Sequence, residues 1–242
     1  GLQKENARSM SVILIVETAS EQCSVALTNK GEVMAVAETK RPFQHASMLT
    51  PLVKQALSDA RCETDQLDAI AVSRGPGSYT ALRVGASTAK GMCLALRIPL
   101  LSVDTLQALA WGARQGMGEP TPSYFLPMIH AKKKEAYAAV YRSDLREVVP
   151  PVVQQVDEKF LMDTVSRYPG IVFCGNAIDD HPEIISGTAA DQRYPTYHHA
   201  SYLGELAWKK YKIEAFENLA YFSPLYIRAP YITKAKKMLW RR

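Results

Sequence analysis

The sequence has few cysteines and no long apolar segment. Its 242 residues include four cysteines, and none of them forms a Cys-x-x-Cys pair, which argues against a disulfide framework. No apolar run approaches the ~20 residues that a helix needs to cross a bilayer. No secretory signal follows Met10. These absences favour a cytoplasmic protein without a membrane segment, in which the cysteines are small core residues.

Short catalytic motifs are missing as well. No two of the five histidines have the His-x-x-x-His spacing that places two imidazoles on one face of a helix. The chain has no Gly-x-Ser-x-Gly turn of a serine hydrolase. Its glycine-rich loop is neither a Walker A motif nor a Gly-x-Gly-x-x-Gly dinucleotide fingerprint. The pattern therefore excludes the common metallohydrolase, serine hydrolase and dinucleotide-binding signatures.

The composition is that of an ordinary globular protein, but the basic excess is uneven. Hydrophobic residues make up 47% and charged residues 22% of a chain with a net charge of +5. Residues 1–9 read as an expression remnant before Met10, and leaving them out lowers the charge to about +4. No acidic residue follows Glu217, whereas Arg228 and five further basic residues do. Interleaved aromatic residues fit either a solvated terminal segment, which we favour, or contact with RNA.

The apolar patterns predict a βββαβαβα order in the first half and a βββαβα order in the second. The two halves suggest an α/β fold of two ribonuclease-H-like domains around a cleft, as in actin-like ATPases. We predict a first domain over 10–111, a glycine- and proline-rich linker over 112–123, and a second domain with a basic tail over 124–242. The predicted helices cover about 46–61, 79–96, 105–114, 157–168 and 200–212.

Residues 73–83 form the most informative stretch (SRGPGSYTALR). They join an apolar strand to a long helix. Gly75 and Gly77 allow a tight turn, and Ser78 or Thr80 can cap the helix. Unpaired N–H groups at the positive end of a helix suit a phosphate or a carboxylate. The loop alone is compatible with a structural turn or with an anion cradle.

An actin-like ATPase needs an acidic residue after the first strand of each half to hold Mg²⁺. The first half offers Glu17, followed by Thr18, but the second half offers His130, followed by three lysines. This pair argues against ATPase or kinase chemistry. A degenerate kinase or ATPase nevertheless remains the alternative function, and its anion or nucleotide loop would consist of Glu17, Thr18, Gly75, Gly77, Ser78 and Thr80.

The helix predicted over 79–96 carries many small residues, which flatten its surface. One flat face is explained by tight packing on the helix's own sheet. Two such faces are more than one sheet needs, so an interface with helices of a partner is the second interpretation. The exposed side of the 46–61 helix is the expected companion surface. The small residues are Ala81, Gly85, Ala86, Ala89, Gly91 and Ala95.

Five segments in order make the chain resemble the bacterial TsaB (YeaZ) family. The most specific piece contains GPGSYT, and the resemblance runs over nearly all of 10–228. The family usually has Asp where Glu17 and His130 stand. The segments are 15–27 (IVETASEQCSVAL), 41–45 (RPFQH), 73–85 (SRGPGSYTALRVG), 129–137 (IHAKKKEAY) and 224–228 (PLYIR).

The resemblance implies a non-catalytic partner in the synthesis of tRNA threonylcarbamoyladenosine. Such a subunit pairs with the catalytic paralogue TsaD, which is joined by the small ATPase TsaE, and it forms a homodimer when the partner is absent. It has no cofactor of its own, although a nucleotide at the partner interface stays open, and it meets tRNA indirectly or weakly. The places of TsaD's two metal-binding histidines correspond to Thr105 and Leu109. The expected partner-binding residues are His45, Met48, Leu52, Arg83, Ser87 and Lys90.

Overall fold

A computed structural model describes residues 10–39, 44–132, 134–179, 193–194 and 196–227. The predicted remnant, residues 41–43 of the helix-entry motif, Lys133 and the tail from Arg228 lie outside this range. Within it, no helix is both long and apolar enough to cross a membrane.

The first half folds into a five-stranded mixed sheet with the order β3-β2-β1-β4-β5. The central strand β1 is antiparallel to β2 and parallel to β4, which in turn is parallel to β5. All six residues of β1 are buried because helices cover both faces of the sheet. The strands are β1 (Val12–Glu17), β2 (Ser24–Asn29), β3 (Glu32–Glu38), β4 (Ala69–Gly75) and β5 (Leu100–Asp104).

The second half repeats this plan with the order β10-β9-β6-β7-β8. β6 is antiparallel to β7 and parallel to β9, as β1 is to β2 and β4. The shared order confirms the predicted two-part, ribonuclease-H-like architecture. The short β10 lies in a stretch for which the sequence predicts a loop. The strands are β6 (Tyr124–Lys132), β7 (Glu135–Arg142), β8 (Glu147–Gln155), β9 (Val172–Cys174) and β10 (Arg193–Tyr194).

Five described helices cover the sheets in layers. α1 and α2 pack on the outer face of the first sheet, and α4 packs on the outer face of the second. α3 contacts strands of both sheets, whereas α5 crosses back to pack on the first sheet. One apolar core therefore joins the two halves. The helices are α1 (His45–Asp59), α2 (Tyr79–Leu96), α3 (Thr105–Met117), α4 (Glu158–Arg167) and α5 (Gly204–Lys212).

Two helix bounds differ most from the sequence prediction. α3 continues through Gly112 and Gly116 to Met117, so the first part of the predicted linker is helical. A Cβ at Gly112 would lie 2.7 Å from the Tyr202 ring, and one at Gly116 would meet Tyr194. These glycines therefore permit close packing rather than a flexible connection. The last predicted helix begins as a 3-10 turn, Ala200–Leu203, before α5.

Candidate functional site

The Gly-Pro-Gly loop between β4 and α2 is filled by the protein's own groups. The Gly75 amide donates to Thr105 Oγ1 at 3.0 Å, and the Ser78 amide donates to the Ala19 carbonyl at 2.8 Å. A Cβ at Gly77 would collide with the same carbonyl. Ser78 is the N-cap residue, but its side chain makes no capping hydrogen bond, contrary to the sequence expectation. Two amides of the presumed cradle thus donate within the chain.

A segment that follows α5 closes the other side of this loop. The Leu225 amide donates to the Arg74 carbonyl at 2.7 Å. Gly75 has φ +108°, and a Cβ there would lie 2.7 Å from the Leu225 carbonyl oxygen. The Tyr226 ring packs 4.7 Å from the Tyr79 ring at the start of α2. These contacts favour the interpretation of the loop as a structural turn.

Glu17 ends β1 as a buried carboxyl group, only 1% exposed. Its Oε1 accepts from the Ala19 amide at 2.5 Å. Burial raises its pKa to about 7, although hydrogen bonds with Ala19 and Ser73 partly oppose this shift. The Thr18 amide donates to Ser73 Oγ at 3.2 Å, and Thr18 Oγ1 is buried without a partner. Thr80, by contrast, is exposed on α2. The carboxyl group of Glu17 is thus held by groups of the protein itself.

Glu17 lines a crevice too narrow to hold a water molecule, together with residues that include Thr105, Leu109 and His198. Thr105 and Leu109 are the positions that the resemblance assigns to a metal-binding pair of histidines, and His198 lies beside them. Burial lowers the pKa of His198 to about 4, so its ring is neutral. The described residues contain no group of three or more His, Cys, Asp or Glu side chains placed to hold a metal ion. The residues around Glu17 do not fit a metal–nucleotide site.

The second half does not complete this site either. His130 lies exposed on β6, and its amide donates to Asn176 Oδ1 at 3.1 Å. Glu17, its counterpart in β1, is buried. The two positions that carry paired acids in an actin-like ATPase therefore differ in residue type and in environment. The alternative of a degenerate kinase or ATPase is not favoured.

Two of the predicted partner-binding residues are packed inside the protein. Leu52 is 2% exposed in the core beneath α1. His45 is 8% exposed, and its Nε2 lies 2.8 Å from the Ser20 carbonyl oxygen. The histidine therefore joins the start of α1 to the loop after β1. Neither side chain reaches a surface that a partner could touch in this conformation.

The other four predicted residues lie nearer the surface of the adjacent helices α1 and α2. Arg83 and Ser87 are exposed, whereas Met48 and Lys90 are partly buried. Arg83 Nη1 donates to Tyr79 Oη at 2.9 Å, and Lys90 Nζ donates to the Phe222 carbonyl at 3.1 Å. The lysine thus ties the last described segment to α2.

Beyond Ser87, α2 presents a flat surface that the sequence reading only partly anticipated. Gly91 is exposed, and no atom lies within 4 Å of a Cβ built there. Leu94, one turn further, is 74% exposed. A small residue followed by an exposed leucine suits close packing of another helix. Leu94 follows Gly91 at helical spacing, so the sequence could have identified it as a residue on the same exposed face of α2.

Comparison with known proteins decides the family. The model of a family described as TsaD: tRNA N6-adenosine threonylcarbamoyltransferase matches residues 38–236. The chain belongs to the TsaD family. Within it, the chain is 37% identical over 132 residues to the tRNA threonylcarbamoyladenosine biosynthesis protein TsaB of Escherichia coli (strain K12), an alignment that covers 54% of this chain and 55% of that protein. The chain thus spans about half the length of this curated relative.

Solved structures agree with this assignment to the TsaD family. A Pseudomonas aeruginosa protein described as similar to peptidase YeaZ matches with a TM-score of 0.72 and 25% identity, over 90% of this chain and all of that one. The fold alone is shared with the ADPNP-bound activator of 2-hydroxyisocaproyl-CoA dehydratase from Clostridium difficile (TM-score 0.50, 8% identity, 84% of this chain, 97% of that one). The resemblance to TsaB/YeaZ is confirmed.

Proposed function

We propose that this chain is a non-catalytic subunit that activates a TsaD enzyme in the synthesis of threonylcarbamoyladenosine in tRNA. The observation that supports this most directly is the contrast between family and site. The chain belongs to the TsaD family, yet Thr105 and Leu109, which the resemblance assigns to the places of two metal-binding histidines, line a crevice beside the buried Glu17. A threonine hydroxyl and an aliphatic side chain do not replace two imidazoles. A chain that keeps the family fold but lacks the metal-binding side chains fits an accessory subunit better than an enzyme.

The partner surface in this proposal is formed by α1 and α2. Its exposed members are Arg83, Ser87, Gly91 and Leu94, with Met48 at the edge. TsaD is expected to pack two of its own helices here, and a second copy of this chain is expected to take that place when TsaD is absent. TsaE then joins the pair, and the assembly works in the cytoplasm. Residues 10–111 would be the domain that carries this surface, and 124–242 the second domain.

The proposed function predicts that this chain is required for tRNA modification in a reconstituted reaction. Incorporation of labelled threonine into unmodified tRNA should be at background level with TsaD, TsaE and the adenylate-forming enzyme alone. Adding this chain should restore it, because TsaD would reach its active form only in the pair. Equal incorporation with and without the chain, using cognate partners, would contradict the activating role.

The proposed surface predicts that Gly91→Arg blocks pairing without harming the fold. The substitution introduces a long charged side chain into a flat surface, whereas arginine is a better helix former than glycine at an exposed position. We expect the dissociation constant of the complex with TsaD, measured by calorimetry, to rise at least about tenfold. Gly91→Ala, which keeps the surface flat, is the matched control and should bind as the wild type does. Unchanged binding by a folded Gly91→Arg protein would place the interface elsewhere.

A further inference from the structure

Aromatic rings and cations lie close together on α3 and α5, at residues that belong neither to the candidate site nor to the proposed partner surface. The sequences of the two helices carry one acidic and four basic residues, a net charge of +3. Four partly exposed residues with aromatic or guanidinium groups and two exposed lysines form this cluster. We call this surface the α3–α5 platform, and it consists of Trp111, Arg114, Trp208, Lys209, Tyr211 and Lys212.

The cations of the platform lie over its rings. Arg114 Cζ is 5.3 Å and Lys209 Nζ is 5.2 Å from the centroid of the Trp111 ring. Lys212 Nζ is 5.6 Å from the centroid of the Trp208 ring. A cation over a ring is held by the π electrons rather than by a hydrogen-bond acceptor, so its N–H donors can still meet an anion.

Three aromatic rings of α5 and the residues that follow it lie next to one another. Trp208 and Tyr211 stack with centroids 5.7 Å apart and an interplanar angle of 21°. The Tyr211 ring lies 5.8 Å from Phe216, which is 41% exposed. Flat rings flanked by cations are the arrangement on which unpaired bases stack while phosphates are neutralised.

Several acidic groups lie close to the platform, among them Glu119, whose pKa is lowered by hydrogen bonds with Thr121 and, to a smaller extent, by the charge of Arg114. Glu205 Oε1 lies 3.6 Å from Lys209 Nζ and neutralises part of its charge. Glu214 is exposed in the turn after α5. Glu217 accepts from Ser102 Oγ, and Lys210 donates to the Ser102 carbonyl at 2.6 Å, so these two side chains tie α5 and the following segment to β5. The two helices themselves keep an excess of three positive charges.

We propose that the α3–α5 platform binds RNA through phosphates and one or two unstacked bases. An acidic protein would satisfy the cations but would leave the rings without a stacking partner. The RNA would be a tRNA substrate, and this part of the inference rests on the proposed function. Because the platform lies on α3 and α5 whereas the partner surface lies on α1 and α2, the subunit could hold RNA while paired.

The first test measures binding of an unmodified tRNA transcript to the full chain by fluorescence anisotropy at several salt concentrations. Removing three charges with Arg114→Ala, Lys209→Ala and Lys212→Ala should weaken binding and reduce the slope of log K against log[salt] by about 2–3. The control removes three exposed cations around the second sheet, Arg146, Lys159 and Arg167. It should leave the slope nearly unchanged. An equal loss in both triple variants would overturn the proposal.

The second test uses the chain's three tryptophans, of which only Trp240 lies outside the platform. In a Trp240→Phe background, tRNA should quench the tryptophan fluorescence with the same midpoint as the anisotropy change, whereas heparin, which has charge but no bases, should not. Absence of quenching by tRNA would overturn base stacking. Loss of binding on truncation after Ile227, with the platform intact, would assign RNA binding to the C-terminal tail.

Threonine incorporation distinguishes failure of this inference from failure of the proposed function. A chain that activates TsaD but shows no platform effect contradicts only this inference, and one that binds tRNA here but never activates TsaD contradicts only the proposed function.

Discussion

Replacing Gly85 with alanine is expected to lower the free energy of unfolding by about 2 kcal/mol. A Cβ at this position of α2 would collide with Thr18 Oγ1 and lie 3.2 Å from Thr18 Cβ. Thr18 is fully buried at the end of β1 and is stiff at χ1, so it cannot turn aside without strain. The lost stability should exceed the gain in helix propensity from glycine to alanine, about 1 kcal/mol. Urea unfolding followed by circular dichroism measures the difference.

Two further variants make this test specific. Gly91→Ala lies on the same helix but points into open space, so it should be neutral or stabilising. Thr18→Ala removes the colliding hydroxyl, whose oxygen has no hydrogen-bond partner. Gly85→Ala should therefore be tolerated in a Thr18→Ala background, with a coupling energy of about 2 kcal/mol. If both backgrounds lose the same stability, the close contact between α2 and β1 is not the reason for glycine at position 85.

Local patterns were sufficient for most of the fold. The apolar run at 12–16 predicts β1 to within one residue, because a strand buried on both faces is continuously apolar. The start of α2 at Tyr79 follows from the glycines and serine that precede it, and the structure ends this helix at Leu96 as predicted. The repeated order of elements then indicated two related halves. Side-chain periodicity carries this information because it reflects which face of each element is buried.

Long-range packing was beyond the sequence reading. From the sequence, the Gly-Pro-Gly loop was compatible with an anion cradle as well as with a structural turn, because its glycines leave backbone amides exposed in isolation. The carbonyl of Ala19 and the segment at Leu225 occupy the loop, and these groups are distant in sequence from it. Gly112 and Gly116 looked like linker residues for a similar reason. Their contacts with tyrosine rings appear only when the second half folds against α3.

The site around Glu17 illustrates the same limit. Position 17 was singled out from its place at the end of β1, and Thr105 and Leu109 from the resemblance. Nothing in the local sequence connected them with His198, which lines the same space. Nor could burial of Glu17 be read from a single strand, because it depends on what α3 and the residues before α5 place over the strand's end. The sequence therefore indicated that the site around Glu17 lacks the residues of an active enzyme, and the structure identifies the side chains that surround Glu17 instead.

The buried carboxyl group of Glu17 makes the stability of the protein depend on pH. Burial raises the pKa of Glu17 from 4.5 to about 7 in the folded state. Between these values the folded chain binds the proton more tightly than the unfolded chain, so stability falls as the pH rises. The contribution is complete below about pH 4.5 and is lost above about pH 7. A shift of this size corresponds to about 3 kcal/mol.

Glu17→Gln should remove this dependence. Glutamine keeps an oxygen that can accept from the Ala19 amide, and it carries no charge that burial would penalise. The stability of the variant relative to the wild type should therefore increase by about 2.5 kcal/mol between pH 5 and pH 8 in urea titrations. Glu21→Gln, which neutralises an exposed carboxylate in the loop after β1, is the control and should show a nearly constant difference. A constant difference for Glu17→Gln as well would mean that Glu17 remains ionised and solvated, and the metal–nucleotide interpretation of this cleft would then have to be reconsidered.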